Sequence, residues 1–305
     1  MRIFVTGASG YVGTAIVERL LGDGHELVCL VRNSNRLRGA AAGSPRVRTV
    51  EGDLLEPASY RSALREVDAV IHLVGIIRER PAAGVTFERL HELGTRLLVD
   101  ACTEAGFAGD GRQRRFIHMS ALGARPGAST AYFRSKWAAE QVLRESGLTH
   151  VIFRPSVIFG PGDEFVNMLA GLVRAPVTPV LGDGRYRMQP VSLRTVADVF
   201  AKAAAGAGPA NAAFDVGGPE QLAYNEMLRD IGAALGRRVR LVHAPLPLMK
   251  PIVRAMERFP WFPVTTNQLT MLLEENICRE GTPFYGVFDP PVVRFADGIR
   301  EYLRP

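Results

Sequence analysis

Tyr132 and Lys136 stand four residues apart in Tyr132-Phe133-Arg134-Ser135-Lys136, and residues four apart on a helix share a face. A free phenol, with a pKa of about 10, is a poor acid or base at neutral pH. An ammonium within a few ångströms favours the phenolate and brings the hydroxyl into a useful range. Ser120, one segment upstream, carries a hydroxyl that can donate to a substrate oxygen and steady charge there. Such a pair occurs by chance in many chains, so its weight depends on what surrounds it.

The second chemical signal lies at the start of the chain. Thr6-Gly7-Ala8-Ser9-Gly10-Tyr11-Val12-Gly13 follows a short apolar run led by Arg2 and opens a helical pattern. The first glycine permits a tight turn, the second lets backbone approach a pyrophosphate, and the third lets the helix pack closely on the strand. The helix start then faces phosphates with N–H groups and partial positive charge. Thr6, Gly7, Ser9, Gly10, Tyr11, Val12 and Gly13 are therefore the expected dinucleotide cradle. Alone, the string reads equally well as an ordinary strand-turn-helix corner.

The elements around these residues decide. Apolar runs at Leu27–Val31, Val47–Val50, Ala69–Val74, Phe116–Met119 and Val151–Arg154 read as buried strands, separated by helical patterns such as Phe87–Ala105. Strands alternating with helices predict an α/β fold, a doubly wound parallel (Rossmann) sheet, whose ligands sit at the carboxyl ends of the strands. Gly7, Arg32, Asp53 with Leu54, Val74 with Gly75, and Ser120 all fall at such ends. Asp53 suits an adenine amino group or a helix cap, and Gly75 a close approach of chain to cofactor. Between Leu27 and Val50 there is no acidic residue to hold a ribose 2′-hydroxyl, while Arg32 and Arg36 fall there. That suits a 2′-phosphate, hence NADP(H) rather than NAD(H). The expected division is residues 1–155 and 188–218 for the nucleotide-binding domain, and 156–187 and 219–305 for a smaller C-terminal cap that sets substrate choice.

Composition narrows the partners. The 305 residues carry a net charge of +6, 47% hydrophobic and 22% charged side chains, the balance of an ordered globular chain. The arginines are scattered, which points away from nucleic acid and toward a small anionic ligand or an anionic membrane surface. Cys29, Cys102 and Cys278 are widely spaced, with no CxxC and no HxxxH, so neither a disulfide framework nor a metal site is expected. Met1 runs straight into the first strand, and no apolar stretch is long enough to span a bilayer. A cytoplasmic location is expected, with peripheral inner-membrane contact as the variant.

With these residues in view, TGASGYVG, VRN, EGDL, VIHLVG, HMSALGA, YFRSK and RPSVIFGPGD together resemble the atypical and extended branches of the short-chain dehydrogenase/reductase superfamily, over the chain to about residue 218. VIHLVGIIRER, HMSALGARPGASTAYFRSKWAAE and RPSVIFGPGDEFVN are most similar to the nucleotide-binding accessory subunits of respiratory complex I and their bacterial relatives. The resemblance implies Tyr132 as proton donor or acceptor and Lys136 as ligand of the nicotinamide ribose. It implies Ser120 as the group polarising a substrate carbonyl, and Pro155 to Val157 as lining the nicotinamide. It leaves three functions open. One is reduction of a carbonyl-like or quinone-related small molecule. The second is a non-catalytic NADPH-holding protein docked on a respiratory or quinone-biosynthesis complex. The third is nucleotide-sugar epimerisation or dehydration. In the cap, Lys250, Arg254 and Arg258 recur every fourth residue ahead of Phe259, Trp261 and Phe262. This is either a solvated basic helix face or a peripheral membrane contact.

Overall fold

The computed structural model describes residues 1–109, 111, 113–257, 259 and 265–304, without the side chains of 248–250 and 252. Six strands pair in parallel: β1 (Arg2–Thr6), β2 (Glu26–Val31), β3 (Val47–Glu51), β4 (Ala69–His72), β5 (Arg115–Met119) and β6 (His150–Pro155). Ala212–Val216 adds a seventh strand beside β6, giving the order Ala212–Val216, β6, β5, β4, β1, β2, β3. The order reverses between β1 and β4, and their carboxyl ends flank the switch point where ligands of such sheets bind.

Both sheet faces are apolar because both are covered. Phe4, Val28, Val70, Phe116 and Ile152 point to one side, where Leu98, Val99 and Cys102 of α3 (Gly94–Glu104) and Val142 and Leu143 of α4 (Ala131–Glu145) complete a buried core. The alternate residues Ile3, Val5, Leu27, Cys29, Ile71, Ile117 and Val151 are equally buried. The helix α1 (Tyr11–Gly22) inserts Ile16, Val17, Leu20 and Leu21, and its Arg19 pairs with Asp198 of the helix Leu193–Ala204 at 3.0 Å. Such two-sided burial is why the strands read as continuous apolar runs rather than alternating ones. The expected helix over 87–105 is present with one departure: Glu88–Leu93 form a π turn that runs into α3.

The chain divides into two compact units. The first holds the seven-stranded sheet and comprises 1–155, 194–215 and 282–291. The last segment falls in the region expected to belong to the cap. Its side chains explain its place: Phe288 packs against Phe153 and Phe214, each at 5.3 Å between ring centroids, and Lys202 Nζ donates to the Phe288 and Asp289 carbonyls. The second unit comprises 156–193, 216–281 and 292–305. Its own core is built from Phe159, Val166, Leu169, Met227, Leu228, Ile231, Phe295 and Ile299. Of the basic stripe, Arg254 is exposed on the helix Leu246–Met256; the Lys250 side chain, Arg258, Trp261 and Phe262 lie outside the described residues. Among the described residues, no helix is long and apolar enough to cross a membrane, and no cluster of His, Cys, Asp and Glu could hold a metal ion.

Candidate cofactor and active site

The glycine turn is built as its spacing requires. Gly7 sits at φ +75°, in the left-handed region, and a Cβ there would press to 3.1 Å on the Leu73 carbonyl carbon. Without a side chain at Gly7, the turn after β1 passes close against Leu73 and Val74 at the exit of β4. Gly10 donates its N–H to the Gly7 carbonyl at 3.0 Å and is the extended N-cap of α1. A Cβ on Gly13 would run into the Gly7 carbonyl oxygen, so only glycine lets α1 seat on the turn. Ser9 and Gly10 are exposed, and Tyr11 and Val12 are half-buried on the first helical turn. The start of α1 has no side-chain cap and no acidic residue in its first turn, so no carboxylate there competes for an anion. A pyrophosphate fits this cradle. Thr6 differs from expectation: its side chain is fully buried and its hydroxyl lies 2.7 Å from Nδ1 of His72, so it supports the turn from beneath.

Around the β2 exit, Arg32 and Arg36 are both exposed, flanking a turn in which the Asn33 side chain accepts the Asn35 N–H. The run without carboxylates ends at Glu51, and the fold brings that residue back. Glu51 closes β3 opposite Val31, and its Oε1 accepts the Ser34 N–H at 3.0 Å. Hydrogen bonds from the Ser34 side chain and backbone hold its carboxyl below the usual carboxylate range. Asp53 is half-buried, with Oδ1 accepting the Leu55 N–H at 2.9 Å. Leu54 instead turns into the core, 6% exposed, away from the strand-end surface.

Tyr132 and Lys136 ride on the first turns of α4, which starts cleanly because the Thr130 side chain accepts the Phe133 N–H. Lys136 points inward and is 3% exposed; its Nζ donates to the Met119 carbonyl at the end of β5, 3.1 Å away. Gly75, itself exposed, passes directly over this ammonium: a Cβ there would stand 2.9 Å from Nζ. Burial lowers the Lys136 pKa to about 8, opposed by the nearby Glu140 carboxylate. Tyr132 is half-buried, its ring edge-on to Phe87, His91 and Phe133. Desolvation pushes its hydroxyl up to about 12. The expected phenolate-favouring effect of Lys136 does not show in this shift, whose direction is set by burial, and helix spacing does not report burial.

Ser120 sits where expected, just past β5, but with its proton engaged. Its hydroxyl donates to Glu140 Oε1 at 2.6 Å rather than facing a substrate oxygen. Glu140 is fully buried and also receives Nε and Nη2 of Arg154, at 2.7 and 2.6 Å. This is a bidentate pair that ties α4 to β6. Arg154 in turn lies 3.6 Å from Asp215 and over the Trp137 ring. Pro155 closes β6, and its carbonyl accepts the Leu122 N–H. Val157 belongs to the second unit, where its carbonyl accepts the Val191 N–H. The first unit therefore brings together the glycine turn, Val74, Gly75, Ser120, Tyr132 and Lys136. Sequence reasoning missed Glu140, Arg154 and His91; a glutamate four residues after Lys136 on one helix face was the available signal for the first.

A family model described as NAD(P)H-binding matches residues 7–205. The chain belongs to that family. Pyridine-nucleotide binding and the Rossmann sheet follow from this membership. The relatives bear out the likeness to atypical short-chain dehydrogenases/reductases and complex I accessory subunits. The chain is 30% identical over 249 residues to a ceramide reductase of Caulobacter vibrioides, covering 80% of this chain and 74% of the relative. It is 27% identical over 262 residues to the mitochondrial NADH-ubiquinone oxidoreductase 40 kDa subunit of Neurospora crassa, covering 85% and 67%. Among solved structures, it shares the fold of the Thermus thermophilus UDP-glucose 4-epimerase complex with NAD, with a TM-score of 0.72, 22% identity and coverage of 98% and 97%.

Proposed function

We propose that the protein is an NADP(H)-dependent reductase of a carbonyl-like or quinone-related small molecule, with Tyr132 as proton donor and Lys136 as its cation. The observation that carries this is the buried Lys136 ammonium, one helical turn from Tyr132, at the strand-end edge that holds the glycine turn. Bound NADPH supplies hydride to the substrate carbon. A phenol held at about 12 stays protonated at neutral pH, the state in which it can donate to a carbonyl oxygen. Transfer of its proton to the carbonyl oxygen leaves a phenolate, for which Lys136, one turn along the same helix face, is the available cation. The Glu140–Arg154 pair fixes α4 against β6, so both side chains hold their places while charge moves.

Arg32 and Arg36 favour a 2′-phosphate, while the Glu51 carboxylate at the end of β3, bonded to the Ser34 N–H between them, opposes one; two guanidinium groups against one anchored carboxylate leave the balance with NADP(H). The test is binding of both dinucleotides, read by reduced-nicotinamide fluorescence. Arg32→Glu should weaken NADPH relative to NADH by roughly tenfold or more; an unchanged ratio removes the cofactor assignment. With substrate from a quinone and carbonyl panel, unaltered turnover in Tyr132→Phe removes the catalytic one. A second function is favoured by the similarity to the Neurospora crassa subunit: the chain holds NADPH and docks on a membrane respiratory complex without turnover. Tight NADPH binding with no turnover of any panel member, together with co-sedimentation with inner membranes, selects it.

A further inference from the structure

His91 is 1% exposed and lies in the π turn Glu88–Leu93, a wide-turn geometry that recurs at functional sites. Both ring nitrogens are engaged. The Ile76 N–H donates to Nε2 at 2.9 Å, which makes Nε2 the acceptor. Nδ1 therefore carries the proton, and it donates to the Ser135 hydroxyl at 2.8 Å. The Ser135 hydroxyl in turn donates to the Tyr132 carbonyl, also at 2.8 Å. The faces of the ring are used too. Phe87 stacks on it at 5.5 Å, and the Tyr132 ring stands edge-on at 5.6 Å and 81°. A Cβ on Gly75 would lie 3.5 Å from His91 Nε2 and 2.9 Å from Lys136 Nζ. One imidazole thus touches the loop leaving β4, the first turns of α4 and the Tyr132 ring.

We propose that His91 is a positioning residue: its neutral imidazole latches the Gly75–Ile76 loop onto α4, so that the loop covers the Lys136 ammonium and the Tyr132 ring is held on edge. This rests on the roles given above to Tyr132 and Lys136. Protonation would break the latch, because an imidazolium has no acceptor for the Ile76 N–H. Burial and the charge of Lys136 prevent it, lowering the His91 pKa to about 2. An Asn amide nitrogen reaches the place of Nδ1 and keeps the bond to Ser135. A Gln carbonyl reaches the place of Nε2 and keeps the bond from Ile76.

The chain's only lysines are Lys136, Lys202 and Lys250, so ε-carbon-labelled lysine gives three NMR signals and a direct titration of Lys136 in the whole protein. In the parent, Lys136 should titrate near 8. His91→Phe should move it upward by about one pH unit or more, because a released loop rehydrates the ammonium. His91→Gln should stay nearer the parent than His91→Asn. In His91→Phe NADPH affinity should also fall by roughly tenfold, the cost of an unmade buried hydrogen bond, with His91→Gln nearer the parent. An unmoved Lys136 titration in folded His91→Phe overturns the proposal. So does a lowered melting temperature with titration and affinity both unchanged, which would mean a purely structural role. Should His91→Phe not fold, Ser135→Ala reads the latch from its other end by the same shift, and a parent-like titration there overturns it. A parent that binds neither dinucleotide would remove the proposed function, while the lysine titration would still report on the latch.

Discussion

Replacing Lys136 with methionine should make the protein more stable and inactive at once. The ammonium is 3% exposed, and burial lowers its pKa from the ordinary 10.5 to about 8. At about 1.4 kcal/mol per pH unit, the folded state loses about 3 kcal/mol by holding this group charged at neutral pH. Methionine has a similar length and no charge to desolvate, so Lys136→Met should raise the unfolding free energy at pH 7 by about 1–3 kcal/mol, allowing for the lost bond to the Met119 carbonyl. The pH dependence gives the reasoning a second handle. Between pH 8 and 10.5 the unfolded chain binds a proton at this lysine that the folded chain does not, so parent stability gains from this group as pH rises through that window. The advantage of the variant should therefore be constant below pH 8 and shrink above it. Urea unfolding of both proteins from pH 6.5 to 10.5, with fluorescence and circular dichroism as probes, measures the difference. A folded variant that is less stable than the parent at pH 7, or an advantage that does not narrow above pH 8, would refute the buried-charge account.

Two other outcomes follow from the same unit. Glu140→Ala leaves the Arg154 guanidinium without its bidentate partner and frees the Ser120 hydroxyl; breaking a buried pair in this way should cost about 3–5 kcal/mol, read by denaturant midpoint, and an effect under about 1 kcal/mol would contradict it. Acid should destabilise the fold well before the carboxylates protonate. His72, His91 and His118 are held neutral by burial, the first two with pKa values lowered from 6.5 to about 3 and about 2 and the third well below its ordinary value. From pH 6.5 down to 4 the unfolded chain takes up protons at all three that the folded chain refuses, so stability should fall by about 1.4 kcal/mol per pH unit for each. Removing His91 should lower that slope by about a third, and an unaltered slope would show that these rings are not the cause.

Much of the sheet could be read from the chain because two-sided burial writes each strand as an apolar run, and glycine positions punctuate the turns. Gly7 and Gly13 were legible for a stricter reason: a left-handed φ and a helix packed on a carbonyl admit almost no other residue. The polar interior was not legible. Ser120, Glu140 and Arg154 meet only when β5, α4 and β6 are in place, and Ile76, His91 and Ser135 only when the β4 loop closes on two helices. Neither set has a spacing that marks it. The Tyr132–Lys136 pair was found by spacing, yet the direction of the phenol's shift came from burial, which periodicity does not report. Glu51 shows the same limit: outside the carboxylate-free run by one residue, it is returned to that loop by parallel pairing with Val31.

The segmented make-up of the sheet unit has a bearing on its biosynthesis. β6, with the sequence HVIFRP, is covered by Ala212–Val216, and Phe153 of that strand waits also for Phe288. A nascent chain emerging from the ribosome therefore carries an open, apolar strand edge from the time residue 155 appears until residue 216 follows, and its last aromatic contact comes later still. Exposed edges of this kind recruit other chains. Truncations ending between 155 and 211 should accumulate as aggregates, while those that include residue 291 can close the sheet before release.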